Sequence, residues 1–309
     1  MGYSARYHVA SLAAVFLALG VGILIGTGLG KNVVNDTTRR LESSLKGDLL
    51  SARGQVASLR GDLRRQQAFA QGVYPALTRG ALPRGRIAVV SLGGLDGSLR
   101  ADIESAIGAQ NETGARLKEF AVVREPPDIA ALTGELRGTR LHPLRRDPND
   151  LASFGRHAGR ALVTGGPLFR RTSGALLARR SGRPGGISAV IVTRSAPQGL
   201  GKAASAATTG LESGVLDGLQ RAGVPVVAVE STGTNPSSIS LFRAHGLTTV
   251  DDLDLTAGEL ALVYALRGAR GNFGVGANAG RLLPPLARLR RATRSLVAPP
   301  ASNVAHRHP

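Results

Sequence analysis

Side chains able to do chemistry are sparse in this chain. The most suggestive group is Glu230-Ser231-Thr232, a carboxylate and two hydroxyls directly after the apolar run at 224–229. Strand C-terminal ends are where open α/β sheets bind ligands, so the three residues make a candidate ligand-facing loop. The same residues also suit an ordinary hydrogen-bonded loop, and the sequence favours that use. Asp251-Asp252-Leu253-Asp254 is the densest acidic run and directly precedes an apolar helical stretch. Carboxylates there suit a helix N-terminus, and Thr256 with Glu259 has capping-box spacing, so capping and turn formation are favoured over catalysis. His306 and His308 are the one close pair among six histidines, and His-x-His alone holds Cu(II) weakly. With no cysteine and Met1 as the only methionine, thiolate sites, disulfides and a soft Cu(I) relay are excluded. The sequence assigns no metal ligand set.

Neither a G-x-S-x-G elbow nor an H-E-x-x-H helix occurs. Gly93, Gly94 and Gly97 do not make G-x-G-x-x-G, and Gly30-Lys31 and Gly201-Lys202 lack the Ser or Thr that a P-loop needs after its Lys. The expectation is a protein that is not an enzyme and holds no cofactor.

The elements that would position these residues alternate. Short apolar runs at 87–92, 116–123, 187–192, 224–229 and 248–250 read as strands, and 98–107, 128–136, 150–162, 167–180, 211–221, 236–244 and 256–266 read as helices. Continuous apolar strands alternating with helices imply a mostly parallel, Rossmann-like α/β sheet over 84–276, covered on both faces.

Residues 9–30 carry no charge, and a helix of roughly 20 such residues crosses a bilayer. A signal peptide would have a shorter apolar core and an Ala-x-Ala step, which Gly26-Thr27-Gly28-Leu29-Gly30 lacks. The expectation is therefore a lasting transmembrane anchor within 1–30, with the lipid bilayer as a partner. Gly22, Gly26 and Gly30 recur every fourth residue, a face for helix packing or simply the glycine common in membrane helices. From 31 to 80, Leu41, Leu45, Leu49, Ala52, Val56, Leu59 and Leu63 form a helical stripe. Gly47, Gly54 and Gly61 weaken a lone helix by roughly 1 kcal/mol each, so the stripe reads as a coiled-coil stalk that makes a homodimer, closed by Pro75 and the segment after it. The last segment, 277–309, reads as a basic disordered tail.

The formal charge is +18, and three segments carry the excess: 31–80, 137–183 with eleven Arg, and the stretch from Arg281 onward. Such patches favour anionic partners in general. Nucleic acid is not expected, because aromatics are 4% of the chain and do not interleave with the basic runs.

Two stretches carry a resemblance. The first is Arg6-Tyr7-His8-Val9-Ala10-Ser11-Leu12, running into the anchor. The second is Gly223-Val224-Pro225-Val226-Val227-Ala228-Val229-Glu230, then Ser238, Thr249-Val250-Asp251-Asp252-Leu253-Asp254, Gly258 and Gly271-Asn272-Phe273-Gly274-Val275. Together they resemble the actinobacterial copper-transport outer-membrane proteins of the MctB family, which includes a cell-division-associated branch. The resemblance implies an N-terminally anchored envelope protein of copper transport or homeostasis, or an envelope scaffold docking a protein partner. Copper enters only by this route, and no ligand or catalytic residue comes with it. The resemblance also implies a domain outside the cytoplasm, whereas Lys31, Arg39, Arg40 and Lys46 after the anchor against Arg6 before it favour the reverse. The extracytoplasmic orientation is the one adopted.

Overall fold

The structure is a computed structural model describing residues 4–82, 85–108, 115–277 and 279–285. Most of the expected basic tail, with His306 and His308, lies outside the described residues. The chain forms two compact units, Met1–Ala68 and Phe69–Pro309.

The first unit is helical and contains most of α1 (Ser4–Thr78). Within α1, Arg6–Thr27 is long and apolar enough to cross a bilayer. Its large side chains, among them Leu12, Phe16, Ile23 and Leu24, all stand exposed, as lipid-facing side chains would. Thr27 keeps its hydroxyl satisfied inside the helix by donating to the Ile23 carbonyl at 2.9 Å. Gly22 and Gly26 have open space where a Cβ would stand. Gly30 lies in the same helix, and its surroundings are outside the described residues. Further along, Leu41, Leu45, Leu49, Val56, Leu59 and Leu63 are exposed on a helix that runs unbroken through Gly47, Gly54 and Gly61.

α1 ends at Thr78, where the segment expected to close it begins, and Pro75 lies inside its last turn. It removes only its own N–H, while the Arg79 N–H reaches the Pro75 carbonyl at 3.0 Å and Thr78 Oγ1 reaches the Tyr74 carbonyl at 2.8 Å, so one more turn closes.

In the second unit a seven-stranded sheet has the order β3-β2-β1-β4-β5-β6-β7. The strands are β1 (Gly85–Leu92), β2 (Ala115–Val123), β3 (Leu177–Ser181), β4 (Ile187–Arg194), β5 (Val226–Val229), β6 (Thr248–Val250) and β7 (Asn272–Phe273). All neighbours are parallel except β2 with β3. Alternation sorts the apolar strand residues to two faces. Ala88, Val90, Leu92, Val190 and Val192 face one helical layer, and Ile87, Val89, Ala189 and Ile191 the other. The first layer holds α3 (Ile129–Glu135), α4 (Pro148–Thr164), α5 (Pro167–Leu176), α6 (Lys202–Gln220) and α7 (Ile239–Ala244). The second holds α2 (Gly97–Gly108) and α8 (Thr256–Leu266), against which the last turn of α1 docks through Tyr264 Oη donating to the Leu77 carbonyl at 2.9 Å.

Three elements differ from expectation. The helix expected over 167–180 stops at Leu176, because 177–181 closes the free edge of β2 as the antiparallel β3, pairing Arg179 with Val122. The expected helix at 211–221 starts at Lys202, over a stretch of Ala, Ser and Thr too polar to show an apolar stripe. The two-residue β7 went unread because its pairing with β6 is not local.

α4 and α6 meet backbone to backbone. A Cβ on Gly214 would stand 2.2 Å from the Ala152 carbonyl oxygen, one on Gly159 2.3 Å from that of Val215, and one on Gly218 2.3 Å from that of Arg156. Gly155 and Gly210 are nearly as tightly placed, at 2.6 and 2.5 Å from the Leu211 and Pro148 carbonyl oxygens. Only glycine admits this approach.

Candidate functional site

The topology locates the site. β1 has β2 on one side and β4 on the other, so the loops leaving the C-terminal ends of β1 and β4 part in opposite directions. That switch point opens a crevice in a doubly wound sheet. Here a cavity of about 330 Å³ is lined from the β1 loop by Gly94 and Asp96, from β4 by Thr193, Arg194 and Ser195, and from the β5 loop by Glu230 and Ser231.

Arg194 ends β4 and organises the crevice floor. Its Nε donates to Glu212 Oε1 at 2.5 Å and its Nη2 to Glu212 Oε2 at 3.1 Å, while Nη1 donates to Ser238 Oγ at 3.2 Å. The pair is nearly closed to water, with side-chain exposures of 15% and 2%, and its two-point geometry is the strong form of a charge pair. Glu212 comes from α6, between Gly210 and Gly214 in sequence and on the face turned away from their contact with α4.

Glu230 was legible from its place at a strand end, and its surroundings are those of a loop-holding carboxylate. It is buried, and it accepts from Ser237 Oγ at 2.8 Å and from the Ser238 backbone N–H. Burial raises its pKa more than these two hydrogen bonds lower it. Ser231 lines the cavity beside it, and its carbonyl accepts from Thr234 Oγ1 at 2.7 Å. Thr232 is tied elsewhere, its N–H donating to Asp254 Oδ1 at 2.6 Å.

The acidic run divides its duties. Asp251 Oδ1 accepts from the Val275 and Gly276 N–H groups at 3.0 and 3.2 Å, and Asp254 holds the loop after β5. The capping box expected from Thr256 and Glu259 does not form, because Leu255 is the N-cap residue and Glu259 instead bonds Ser105 of α2. Asp252 is fully buried, no other residue among the described ones donates to either of its oxygens, and burial with its neighbours Asp251 and Asp254 pushes its pKa up to about 6.

Sequence reading missed Glu125, at the end of β2 before Pro126, although the strand-end logic that picked out Glu230 applies to it equally. Gly93 (φ +76°) makes room for it, since a Cβ there would stand 2.7 Å from Glu125 Oε2 and 3.0 Å from the Ser195 carbonyl oxygen. Neither Glu125 oxygen has a donor among the described residues, but Glu212 lies within hydrogen-bonding reach. A proton on Glu125, donated to Glu212, resolves both facts. Burial, and then the Glu212 charge, push the Glu125 pKa from 4.5 up to about 8.

At the first βα turn, where doubly wound folds hold a phosphate, the chain supplies its own anion. Asp96 Oδ1 accepts from the Ser98 and Leu99 N–H groups at 2.8 and 3.1 Å, filling the N-terminus of α2. Arg194 and Glu230 likewise spend their polar atoms on neighbouring loops. The crevice is a preformed recess whose charges hold its walls.

Because the native state keeps a proton on Glu125 that the unfolded chain loses near its ordinary pKa, the stability Glu125 contributes is complete below pH about 4.5. It drains away as pH rises toward about 8. Between pH 6 and 8 the wild-type unfolding free energy should fall more steeply than that of Glu125→Gln, by at most about 1.4 kcal/mol per pH unit. Urea unfolding at the two pH values checks this, and equal slopes would show Glu125 already ionised.

No curated protein matches the chain. The family model described as copper transport outer membrane protein, MctB, matches residues 3–284, from the N-terminal apolar helix through the last sheet strand. The chain belongs to the MctB family of copper transport outer membrane proteins.

Proposed function

We propose that this chain is a single-pass, membrane-anchored envelope protein that serves copper homeostasis without catalysing a reaction. Its α/β domain lies outside the cytoplasm as the recognition element. The observation that carries this reading is the extent of the family match, which takes in the Arg6–Thr27 helix and the whole sheet together. The crevice supports binding over catalysis, because Arg194, Glu212 and Glu230 are committed to one another and to Ser237 and Ser238. Among the described residues no three His, Asp or Glu side chains are grouped to hold a metal ion, so the role in copper handling is assigned to the protein and not to a site within it. Deleting the gene should raise cellular copper under copper supplementation, with restoration by the intact gene. Unchanged copper content, measured by mass spectrometry of washed cells, would contradict the reading.

The exposed stripe on α1 favours a second element, an envelope scaffold that dimerises through its stalk and docks a protein partner. Leu41, Leu45, Leu49, Val56, Leu59 and Leu63 lie on one helical face and cover nothing within their own unit, as a coiled-coil seam does before its partner is added. The chain has no cysteine, so one introduced thiol reports its own neighbours. Oxidation in native membranes should link Leu49→Cys into a dimer and leave Ser51→Cys, on the opposite face, monomeric. Monomer from both variants would remove the seam.

A further inference from the structure

The crevice at the switch point spends its charges on its own walls, and the polar groups it leaves over are neutral. Four of its lining side chains, Ser195, Gln198, Ser231 and Asn235, make no hydrogen bond to another described residue. The first two belong to the loop after β4 and the others to the loop after β5. The loop after β1 closes the third side, where a Cβ on Gly94 would stand 3.7 Å from Ser195 Oγ. The volume of about 330 Å³ is at the small end for a ligand site.

Polar side chains on surface loops are ordinarily just solvated, and two observations set these apart. The first is that the backbones carrying them are fastened. Ser195 N–H donates to the Leu92 carbonyl at 3.0 Å, Thr234 N–H donates to the Ser231 carbonyl at 3.2 Å, and Glu230 holds Ser237 and Ser238. Loops so held have less freedom to lose when a ligand arrives. The second is that the recess selects against anions. Arg194 is the one cation among its lining residues, and Glu212 already balances it. Asp96 keeps its negative charge, because the Ser98 hydroxyl and then the Leu99 and Ser98 N–H groups hold its carboxyl below the ordinary range. A phosphate or carboxylate would meet that charge with no free cation to offset it, and a cationic group would find Glu230 already filled by two donors.

We infer that the crevice binds a neutral sugar, held through the hydroxyl groups of one pyranose ring. The Gln198 and Asn235 carboxamides each present an NH₂ donor beside a carbonyl acceptor, and the Ser195 and Ser231 hydroxyls serve as either. Adjacent ring hydroxyls offer the same pairing of donor and acceptor, so one carboxamide can meet two of them at once. None of the residues lining the crevice is aromatic, and Leu99 and Pro236 supply apolar surface for the C–H face of the ring. This ligand class rests on the reading of the α/β domain as a recognition element.

Saturation-transfer NMR of the full chain, in a zwitterionic detergent with no sugar head group, tests the site with the methyl α-glycosides of glucose, mannose and galactose as probes. At least one should bind saturably. Gln198→Ala with Asn235→Ala, both exposed and so safe for folding, should weaken that binding by roughly tenfold or more. Asn149→Ala with Ser205→Ala, exposed in the separate groove between the starts of α4 and α6, should leave it unchanged. The uronic acid and the amino sugar built on the same ring should both bind more weakly than the neutral glycoside. Failure of all three probes to saturate, equal loss in the two double variants, or tighter binding of either charged sugar overturns the inference. Cellular copper in the deletion strain is a separate reading: raised copper without sugar binding would refute the ligand class and leave the copper role standing, and sugar binding with unchanged copper would do the reverse.

Discussion

The contact of α4 with α6 is the constraint on which the second unit depends. Five glycines, Gly155 and Gly159 on one helix and Gly210, Gly214 and Gly218 on the other, bring the two backbones to a separation that no side chain permits. Fourth-residue spacing puts each set along one face, so the seam runs the length of the contact. Glycine costs helix stability, roughly 1 kcal/mol per position against alanine, and the close packing must offset it. Leu211, Val215, Leu216 and Leu219 of α6, with Leu151, Phe154 and Leu162 of α4, fill the surrounding core.

From this seam the site follows. Glu212 lies within the Gly210 to Gly214 segment of α6, so fixing α6 fixes the carboxylate that receives Arg194. Arg194 in turn orients Ser238, whose N–H is held by Glu230, and Glu212 lies beside the protonated Glu125. One chain of contacts thus runs from a helix packed on the sheet face to the loops of β2, β4 and β5. The fold has the plan of a dinucleotide-binding domain but uses its own Asp96 at the phosphate position and its own charges to hold the crevice walls.

Much of the fold was legible in the sequence, because the central strands are β-branched apolar runs and the N-terminal apolar helix is a long uncharged one. The runs at 187–192 and 224–229 could be nothing but buried strands once helices flanked them. The failures have a common cause, which is that the deciding partner is distant in sequence. Leu177 and its neighbours continue a helical pattern and become a strand only because β2 offers an unpaired edge. Thr256 and Glu259 have the spacing of a capping box, yet Glu259 finds Ser105 instead. Of the site, Glu230 and Ser231 were readable from position alone, whereas Arg194 with Glu212 and Glu125 were not. A signal did exist for Glu212, a lone charge between Leu211 and Val215 on a core-facing helix, which requires a buried partner. The repeating glycines of α6 are equally visible in the sequence, with the same fourth-residue spacing as Gly22, Gly26 and Gly30 in the N-terminal apolar helix.

The seam itself is open to direct test by comparing urea unfolding of Gly214→Ala and Gly134→Ala in the full chain. An added methyl on Gly214 meets the Ala152 backbone, which has no side chain to move aside, whereas one on Gly134 meets open space. Overpacking of this kind costs about 1–3 kcal/mol, so Gly214→Ala should lose at least that much stability while Gly134→Ala loses none. If Gly214→Ala proved as stable as the wild type, α4 and α6 would not be held at glycine distance, and the placement of Glu212 behind Arg194 would lose its physical basis.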